Sequence, residues 1–188
     1  MNPMKENLTG NGIHEKISAA WEKFAEHEHR PDVGGEHKYG DILQGLLLLL
    51  FIAVSIIDYF FLKTRLTLTP YVPLWARIFT SLLLLFTGWR LAKSGMQVVF
   101  GDVREKPSVI NQGPFTQMRH PIYMGAILLY LAAVVLTLSL AAGVVWIVIA
   151  ACYAILAKYE ETLLIEKFGD DYRQYMQSVP MWIPRPKT

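Results

Sequence analysis

The stretch that decides the fold is IYMGAILLYLAAVVLTLSLAAGVVWIVIAACYAILA, residues 122–157, which contains no charged side chain. As one continuous helix its 36 residues would be about 54 Å long, at about 1.5 Å per residue. The hydrocarbon core of a bilayer is only about 30 Å thick, so the run has to turn back on itself. The sequence therefore predicts a helical hairpin of two spans, near 122–138 and 141–157, with its turn between Thr137 and Gly143.

Two further apolar segments precede this hairpin. Residues 42–62 form an apolar run of 21 residues, and residues 74–91 form another with an arginine near each end. TPYVP, residues 69–73, is a plausible tight connection between them. Hydrophobic residues make up 53% of the chain and charged residues 18%, which is unlike a soluble globule. We therefore expect an all-α integral membrane protein with about four transmembrane helices.

The N-terminal residues 1–40 are polar and carry a separate helical pattern. Because the first apolar run begins only near residue 42, we expect no cleaved leader. The pattern predicts a cytosolic or interfacial amphipathic helix, and packing on its own domain or contact with lipid would both suit it. Its apolar stripe consists of Ile13, Ile17, Ala20, Trp21 and Phe24.

The C-terminal residues 158–188 predict a helical tail that lies along the membrane surface. The helical stripe in this tail is interrupted at Gly169, where Asp170 or Asp171 could cap a restarted helix. We expect the tail to fold back over the loop of residues 92–121. The stripe consists of Leu164, Phe168, Tyr172, Tyr175 and Val179.

The distribution of lysine and arginine predicts the orientation. With the N-terminus inside, the inner segments carry fifteen of these residues and the outer ones three. The positive-inside rule then places both termini in the cytoplasm. The loop 92–121 and the tail 158–188 would face the cytoplasm together.

Polar residues collect at that shared face. RHPIYMG, residues 119–125, stands before the hairpin, and Glu160 and Glu161 follow it. Arg119 could simply mark the membrane border, Tyr123 could belong to an aromatic belt, and Pro121 could only start a helix. Two carboxylates at a membrane boundary are costly to desolvate and are usually paired or functional. We therefore expect His120, Tyr123, Glu160 and Glu161 to surround one cavity.

The ordered motifs GPFTQMRHPIYMG and EETLLIEKFGDDYRQYMQSVPMWIP, separated by an uncharged hairpin, resemble the isoprenylcysteine carboxyl methyltransferase family. They are also similar to the related phospholipid N-methyltransferases, and the resemblance covers about residues 107–186. It implies an integral membrane enzyme that transfers a methyl group from S-adenosylmethionine to a lipid-like acceptor arriving from the bilayer.

The resemblance also implies roles for individual residues. His120 and Tyr123, with the backbone around Pro121 and Gly125, would line the cofactor pocket. Glu160 or Glu161 would hold the cofactor's amino group as a carboxylate–cation pair. Aromatic residues of the tail would cover the pocket and exclude water; these are Phe168, Tyr172 and Tyr175.

The favoured acceptor is a carboxylate of isoprenylcysteine type. An arginine would orient such a carboxylate through two hydrogen bonds, and Arg119 is the first candidate with Arg173 the second. An amine acceptor would need a base instead, and a glutamate or His120 could serve. Family members often carry a basic residue beside the Val-Pro of the tail, where this chain has Ser178 and Met181. Arg185 lies a few residues further on. A phospholipid amine, or a small hydrophobic acid or thiol, therefore stays open as the acceptor.

Two other functions remain in view. Membrane sterol reductases have a similar C-terminal half and use a nicotinamide cofactor, and a non-enzymatic membrane scaffold could keep the hairpin only as structure. We expect no nucleic-acid partner, and the sequence does not indicate an oligomeric state.

Three smaller features carry less weight. The single Cys152 is expected to be an inert packing residue. Asp58 is expected to be hydrated or paired with Lys63, with a buried functional role as the alternative. The N-terminal histidines and their neighbours match no zinc pattern, so we expect no metal there. Those residues are His27, Glu28, His29, Glu36 and His37.

Overall fold

The computed structural model describes residues 40–101 and 107–183, without the side chains of Asp41 and Leu66. Within these residues every regular element is helical. The five α-helices are α1 (Gly40–Ile57), α2 (Leu74–Phe100), α3 (Pro121–Thr137), α4 (Leu140–Phe168) and α5 (Asp170–Ser178). A π-helical turn, Asp58–Leu62, continues α1, and short 3-10 turns occupy Thr64–Thr67 and Gly113–Thr116. The N-terminal amphipathic helix predicted before residue 40 lies outside the described residues, as do Arg104, Lys106 and Arg185.

Two of these helices are long and apolar enough to cross a membrane. They are Ile42–Leu62, which includes the π-helical turn, and Leu140–Phe168. Pro121–Thr137 is also apolar but is shorter, at 17 residues. The apolar side chains of α1 are mostly uncovered by protein, as Leu46 and Leu49 illustrate with exposures of 59% and 64%. The length and composition of these helices suit a membrane protein.

The hairpin turn falls inside the window that the sequence predicts. Leu138 adopts a left-handed backbone, with φ 51°, at the end of α3. Ser139 then caps α4, because its hydroxyl accepts a hydrogen bond of 3.0 Å from the Ala142 amide. At the other end of α3, Pro121 occupies the first helical turn, where its missing N–H costs nothing.

Two helices extend beyond the apolar runs that the sequence predicts as membrane spans. The predicted loop 92–121 is helical as far as Phe100, because no proline or helix-breaking turn follows Leu91. The predicted tail 158–188 begins as helix, since α4 continues unbroken to Phe168. This continuation is what carries Glu160 and Glu161 on a rigid element. A new helix does begin at Asp170, but neither aspartate caps it through its side chain.

The prediction that Asp58 is hydrated or paired with Lys63 is wrong. Its side chain is only 1% exposed, and its Oδ1 accepts hydrogen bonds from the Thr64 amide at 2.8 Å and the Thr64 hydroxyl at 2.7 Å. The Thr64 hydroxyl also accepts a bond from the Ala141 amide at 3.3 Å. Lys63 contributes its backbone N–H to the Asp58 carbonyl, at 2.7 Å. Asp58 thus ties the end of α1 to the start of α4, because the left-handed turn at Lys63 brings Thr64 back over it.

Candidate active site

The candidate site forms where the start of α3 meets the C-terminal half of α4. It consists of Arg119, His120, Tyr123, Glu160 and Glu161, which we call the carboxylate cluster. The sequence predicts the last four of these around one cavity, and the side chains of the cluster contact one another. The contacts join residues 37 to 42 positions apart in the chain.

Arg119 is bound on several sides by the protein. Its Nε lies 2.7 Å from Glu161 Oε1, and both side chains are about one-tenth exposed, at 10% and 9%. Its Nη1 donates to the carbonyl oxygens of Met176, at 3.0 Å, and Val179, at 2.8 Å. The Arg119 amide also donates to the Pro180 carbonyl, at 3.0 Å. Arg119 therefore fastens the tail to the start of α3, and this engagement argues against a role in orienting an acceptor carboxylate.

His120 lies between the two carboxylates and between two aromatic rings. Its Nε2 is 3.0 Å from Glu161 Oε1, and its Nδ1 is 3.8 Å from Glu160 Oε2. The Tyr123 ring is nearly parallel to the imidazole, with centroids 5.8 Å apart, and the Trp182 ring lies 5.7 Å away. The side chain is 6% exposed, so its orientation is fixed from all these directions.

Tyr123 connects the carboxylate cluster to the interior of the helical bundle. Its hydroxyl donates a short hydrogen bond to Glu160 Oε1. Its ring lies 5.1 Å from that of Tyr153, a buried residue of α4. Glu160 is the more accessible of the two carboxylates, with 16% of its side chain exposed against 9% for Glu161.

Two tyrosines of α5 anchor the tail beside the cluster. Tyr172 and Tyr175 are buried and pack with Val179, and the Tyr175 hydroxyl donates to the Phe115 carbonyl at 2.7 Å. Burial raises the pKa of Tyr175 to about 12, and burial followed by the nearby Glu161 charge raises the pKa of Tyr172 further. Both hydroxyls are therefore neutral at physiological pH. Their contacts hold the tail over the loop, as the stripe in the sequence predicts.

Three residues assigned to the site behave differently. Arg173 is 59% exposed and pairs with Asp170 at 2.7 Å, so the structure does not bring it to the cluster. Gly125 faces α2, where an added Cβ would lie 2.7 Å from the Gly88 carbonyl oxygen, so it serves helix packing. Pro121 is fully buried at the first turn of α3. The lining of a cofactor pocket by the backbone around these two residues stays a prediction.

Two aromatic residues of the site are missing from the sequence prediction. Trp182 covers one face of His120, and Tyr153 lies against Tyr123. Trp182 lies two residues after the Val179-Pro180 pair of the tail. Tyr153 is a polar aromatic residue inside an otherwise apolar span, which is a signal that it has a specific partner. Neither position could be connected to His120 without knowing how the tail folds back.

An apolar groove of about 520 Å³ lies one helical turn into the bundle from the cluster. It is open along one side, and α1, α3 and α4 each contribute to its walls. Tyr153 belongs to both the groove and the aromatic contact with Tyr123. A second, more polar hollow of about 480 Å³ lies between the end of α2 and residues 108–114.

The donor set of the cluster fits S-adenosylmethionine. Its carboxylates can hold an ammonium group, and its aromatic faces suit a sulfonium cation. Among residues 40–101 and 107–183, no group of three or more histidine, cysteine, aspartate or glutamate side chains is arranged to hold a metal ion. The histidines at 27, 29 and 37 lie outside that part of the chain.

The sequence model described as phospholipid methyltransferase matches residues 75–171, which is 97 of the 188 residues. The matched residues run from the start of α2 to the end of α4 and include the segment before α3. They therefore contain every residue of the carboxylate cluster. The chain is also similar to methanethiol S-methyltransferase 1 of Bradyrhizobium diazoefficiens, with 48% identity over 69 residues. That alignment covers 36% of this chain and 23% of the relative, so the chain matches less than a quarter of the relative's length.

Proposed function

The chain belongs to the phospholipid methyltransferase family, and on that premise we propose that it transfers a methyl group from S-adenosylmethionine to an apolar acceptor at the carboxylate cluster. The observation that carries this proposal is the convergence of two adjacent carboxylates, an imidazole and two aromatic rings beside an apolar groove. Each of these groups suits one part of the reaction, and they come from segments about forty residues apart.

Glu160 is the carboxylate best placed for the cofactor's amino group. Glu161 is held by Arg119 and His120, whereas Glu160 faces Tyr123 and is the more exposed of the two. A carboxylate–ammonium pair in a partly dry site is among the stronger hydrogen bonds in proteins. The faces of Tyr123 and Trp182 would attract the positive sulfonium.

The cofactor supplies a methyl group that is already activated, so the protein has chiefly to align the acceptor with it. Trp182 and the tail exclude water, and Arg119 keeps the tail closed over the site. With a thiol acceptor, the thiol sulfur would take the methyl group and its proton would pass to His120. The sulfonium would leave as a neutral thioether, keeping the electron pair of the broken bond.

A thiol is the acceptor class that we favour. A thiol or an amine needs a proton-accepting group, and His120 provides one. A carboxylate needs a cation to orient it, and Arg119 is occupied by Glu161 and two carbonyls. The relative described as a methanethiol S-methyltransferase supports the same choice.

A carboxylate of isoprenylcysteine type is the second candidate. The apolar groove favours it, because the groove could receive a hydrocarbon tail attached to the reacting group. Methylation of that carboxylate would require Arg119 to exchange Glu161 for the acceptor.

For the membrane arrangement we propose four crossings with both termini in the cytoplasm. The first and last crossings are the helices of sufficient length and hydropathy, Ile42–Leu62 and Leu140–Phe168. The second and third are α2 and α3, which are packed along each other through glycine contacts. The carboxylate cluster would then face the cytoplasm, where the cofactor is available.

The test is ligand binding and methyl transfer by the purified full chain in detergent. We expect S-adenosylhomocysteine to bind in isothermal titration and NADPH not to bind. Glu160→Gln should weaken that binding at least tenfold, in line with the loss of a charge-assisted hydrogen bond, at an unchanged thermal midpoint. Glu166→Gln, at an exposed position of the same helix, is the matched control and should bind as the wild type does.

Radiolabelled methyl transfer to thiols, amines and a prenylcysteine analogue would then identify the acceptor class. A base-stable product from the thiol would support the first candidate, and a base-labile methyl ester would support the second. Absence of S-adenosylhomocysteine binding, or an equal effect of the Glu160 and Glu166 substitutions, would overturn the proposal.

A further inference from the structure

The apolar groove is built partly by α1, which lies outside the matched residues 75–171. Leu48, Phe51 and Ile52 of α1 form one wall, and the opposite wall belongs to α3. Phe51 reaches across the groove, since its ring meets that of Tyr130 edge-on with centroids 5.0 Å apart. One wall of the groove is therefore formed by a helix that carries no residue of the carboxylate cluster.

The groove adjoins the cluster through one aromatic contact. Tyr153 lines its inner side and contacts Tyr123, whose hydroxyl donates to Glu160. Along α3 the groove extends from Ala126 to Ala133, which corresponds to roughly 10 Å of helix. The first of these residues is one helical turn beyond Tyr123.

The lining chemistry defines what can enter. The groove residues are apolar or aromatic except for the uncharged Gln44, and none carries a charge. Burial of a charged or strongly polar group there would cost free energy without a partner, whereas a hydrocarbon chain would gain by leaving water. The volume of about 520 Å³ is within the range of small-molecule sites.

We propose that the groove receives the hydrocarbon part of the methyl acceptor, and that α1 thereby selects acceptors by size. The inference rests on the proposed methyl transfer and adds to it a specificity element outside the family-matched residues. Phe51 and the small Gly45 set the width of the groove, while the cluster performs the same reaction on whatever the groove admits.

Gly45 offers a way to test this without disturbing the fold. A Cβ built at Gly45 meets no atom within 4 Å, so a larger side chain there can extend into the groove without a backbone clash. Ala53 lies on an exposed part of the same helix and does not line the groove. Gly45→Leu is therefore the test variant, and Ala53→Leu is the control that adds the same side chain elsewhere on α1.

The measurement is kcat/KM for alkyl thiols of increasing chain length, with S-adenosylhomocysteine affinity recorded in parallel. We expect Gly45→Leu to lower kcat/KM for the longest thiol at least tenfold relative to the shortest one. Its S-adenosylhomocysteine affinity should stay within twofold of the wild type, and Ala53→Leu should change neither quantity. Equal effects on all chain lengths, or no effect, would overturn the inference while leaving the proposed function intact.

A second measurement separates the groove from the reaction. An alkyl thiol carrying a diazirine should crosslink to peptides of α1 in the wild type, and Gly45→Leu should reduce that crosslinking. This result is expected whether or not the thiol is turned over. Crosslinking at other parts of the chain would overturn the inference. Displacement of the probe by phospholipid, without any effect on turnover, would also overturn it, because the groove would then hold a bilayer lipid.

Discussion

Arg119 receives its partners from two distant parts of the chain. Glu161 is 42 residues away, and the carbonyl oxygens of Met176 and Val179 are 57 and 60 residues away. A guanidinium can satisfy all three at once because its N–H groups point in fixed directions within one plane. Arg119 therefore joins the start of α3, the C-terminal half of α4 and the tail. Its main effect is to hold these three segments in position around the site.

We predict that Arg119→Ala destabilises the protein by about 3–5 kcal/mol, because it leaves the Glu161 charge buried without its cation. Glu161→Gln introduced into the same variant should recover part of that loss, since the uncompensated charge is then gone. The measurement is thermal unfolding in detergent of both single variants and the double variant. A double variant no more stable than Arg119→Ala would contradict this account of the pair.

Tyr175 makes a pH-dependent contribution that can be predicted in sign. Its pKa is raised from 10.0 to about 12 in the folded chain, with burial as the first cause, so the neutral hydroxyl is favoured on folding. That contribution is complete below pH 10 and is lost as the pH rises from about 10 towards 12. Tyr175→Phe should therefore lower the thermal midpoint at neutral pH, because it removes a hydrogen bond that contributes about 1 kcal/mol to stability. Above pH 10 the midpoint of the variant should fall less steeply than that of the wild type.

The matched control for this prediction is Tyr71→Phe, because Tyr71 is 82% exposed. Its midpoint should follow the wild type across the whole pH range. A Tyr175→Phe curve parallel to the wild type above pH 10 would show that the Tyr175 hydroxyl does not carry the effect.

At the scale of elements, the closest contact in the bundle is the crossing of α2 and α3. An added Cβ at Gly88 would lie 2.8 Å from the Gly125 carbonyl oxygen, and one at Gly125 would lie 2.8 Å from the Ala92 amide nitrogen. Small residues four positions apart, here Gly88 and Ala92, are what allow helices to approach this closely in membranes. The glycine of RHPIYMG thus serves the helix pair that positions the cluster.

We predict that Gly125→Ala destabilises the protein by about 1–3 kcal/mol, because the new methyl group meets backbone atoms that cannot move independently. Gly95→Ala should also destabilise the protein, since the new methyl group would meet Cγ1 of the β-branched Ile122 side chain at 2.6 Å. Gly45→Ala, with open space around it, should be neutral or slightly stabilising through better helix propensity. Thermal unfolding of the three variants checks the order, and a Gly125→Ala variant as stable as Gly45→Ala would contradict it.

The sequence could predict the elements better than their ends. The hairpin of α3 and α4 follows from length alone, because 36 uncharged residues cannot form one crossing. The overrun of α2 to Phe100 could not be predicted from hydropathy, since a helix continues into water wherever no residue stops it. For the same reason α4 continues beyond its apolar run and carries Glu160 and Glu161.

The polar residues of the candidate site could be named from the sequence, but their pairing and their aromatic neighbours could not. His120, Tyr123 and both glutamates do come together, but the engagement of Arg119 by the tail depends on backbone carbonyls, which leave no trace in the sequence. The same limit applies to Trp182, whose position over His120 is set by hydrogen bonds between main-chain groups of residues 119–120 and 180–181.

At the scale of the whole molecule, the contacts divide the described residues between two ends. At one end Arg77 of α2 donates to the Leu136 carbonyl of α3, and Thr64 accepts from the Ala141 amide. At the other end lie the carboxylate cluster and the tail. Since α1 runs towards Asp58, its start at Gly40 belongs to the end that holds the cluster. Residues 63–71 and the tail are therefore expected on opposite sides of the membrane.

We predict that cysteines placed at Gln117 and Gln174 are labelled only from the cytoplasm and that a cysteine at Tyr71 is labelled only from the opposite side. All three positions are exposed, and Cys152→Ala removes the native thiol first. The measurement is reaction with a membrane-impermeant maleimide in right-side-out and inverted vesicles from a bacterial host. The excess of lysine and arginine at the cluster end is the physical reason for this orientation. Labelling of Gln174 and Tyr71 from one side would contradict the four crossings, and a full reversal of the pattern would retain the crossings but contradict the cytoplasmic placement of the site.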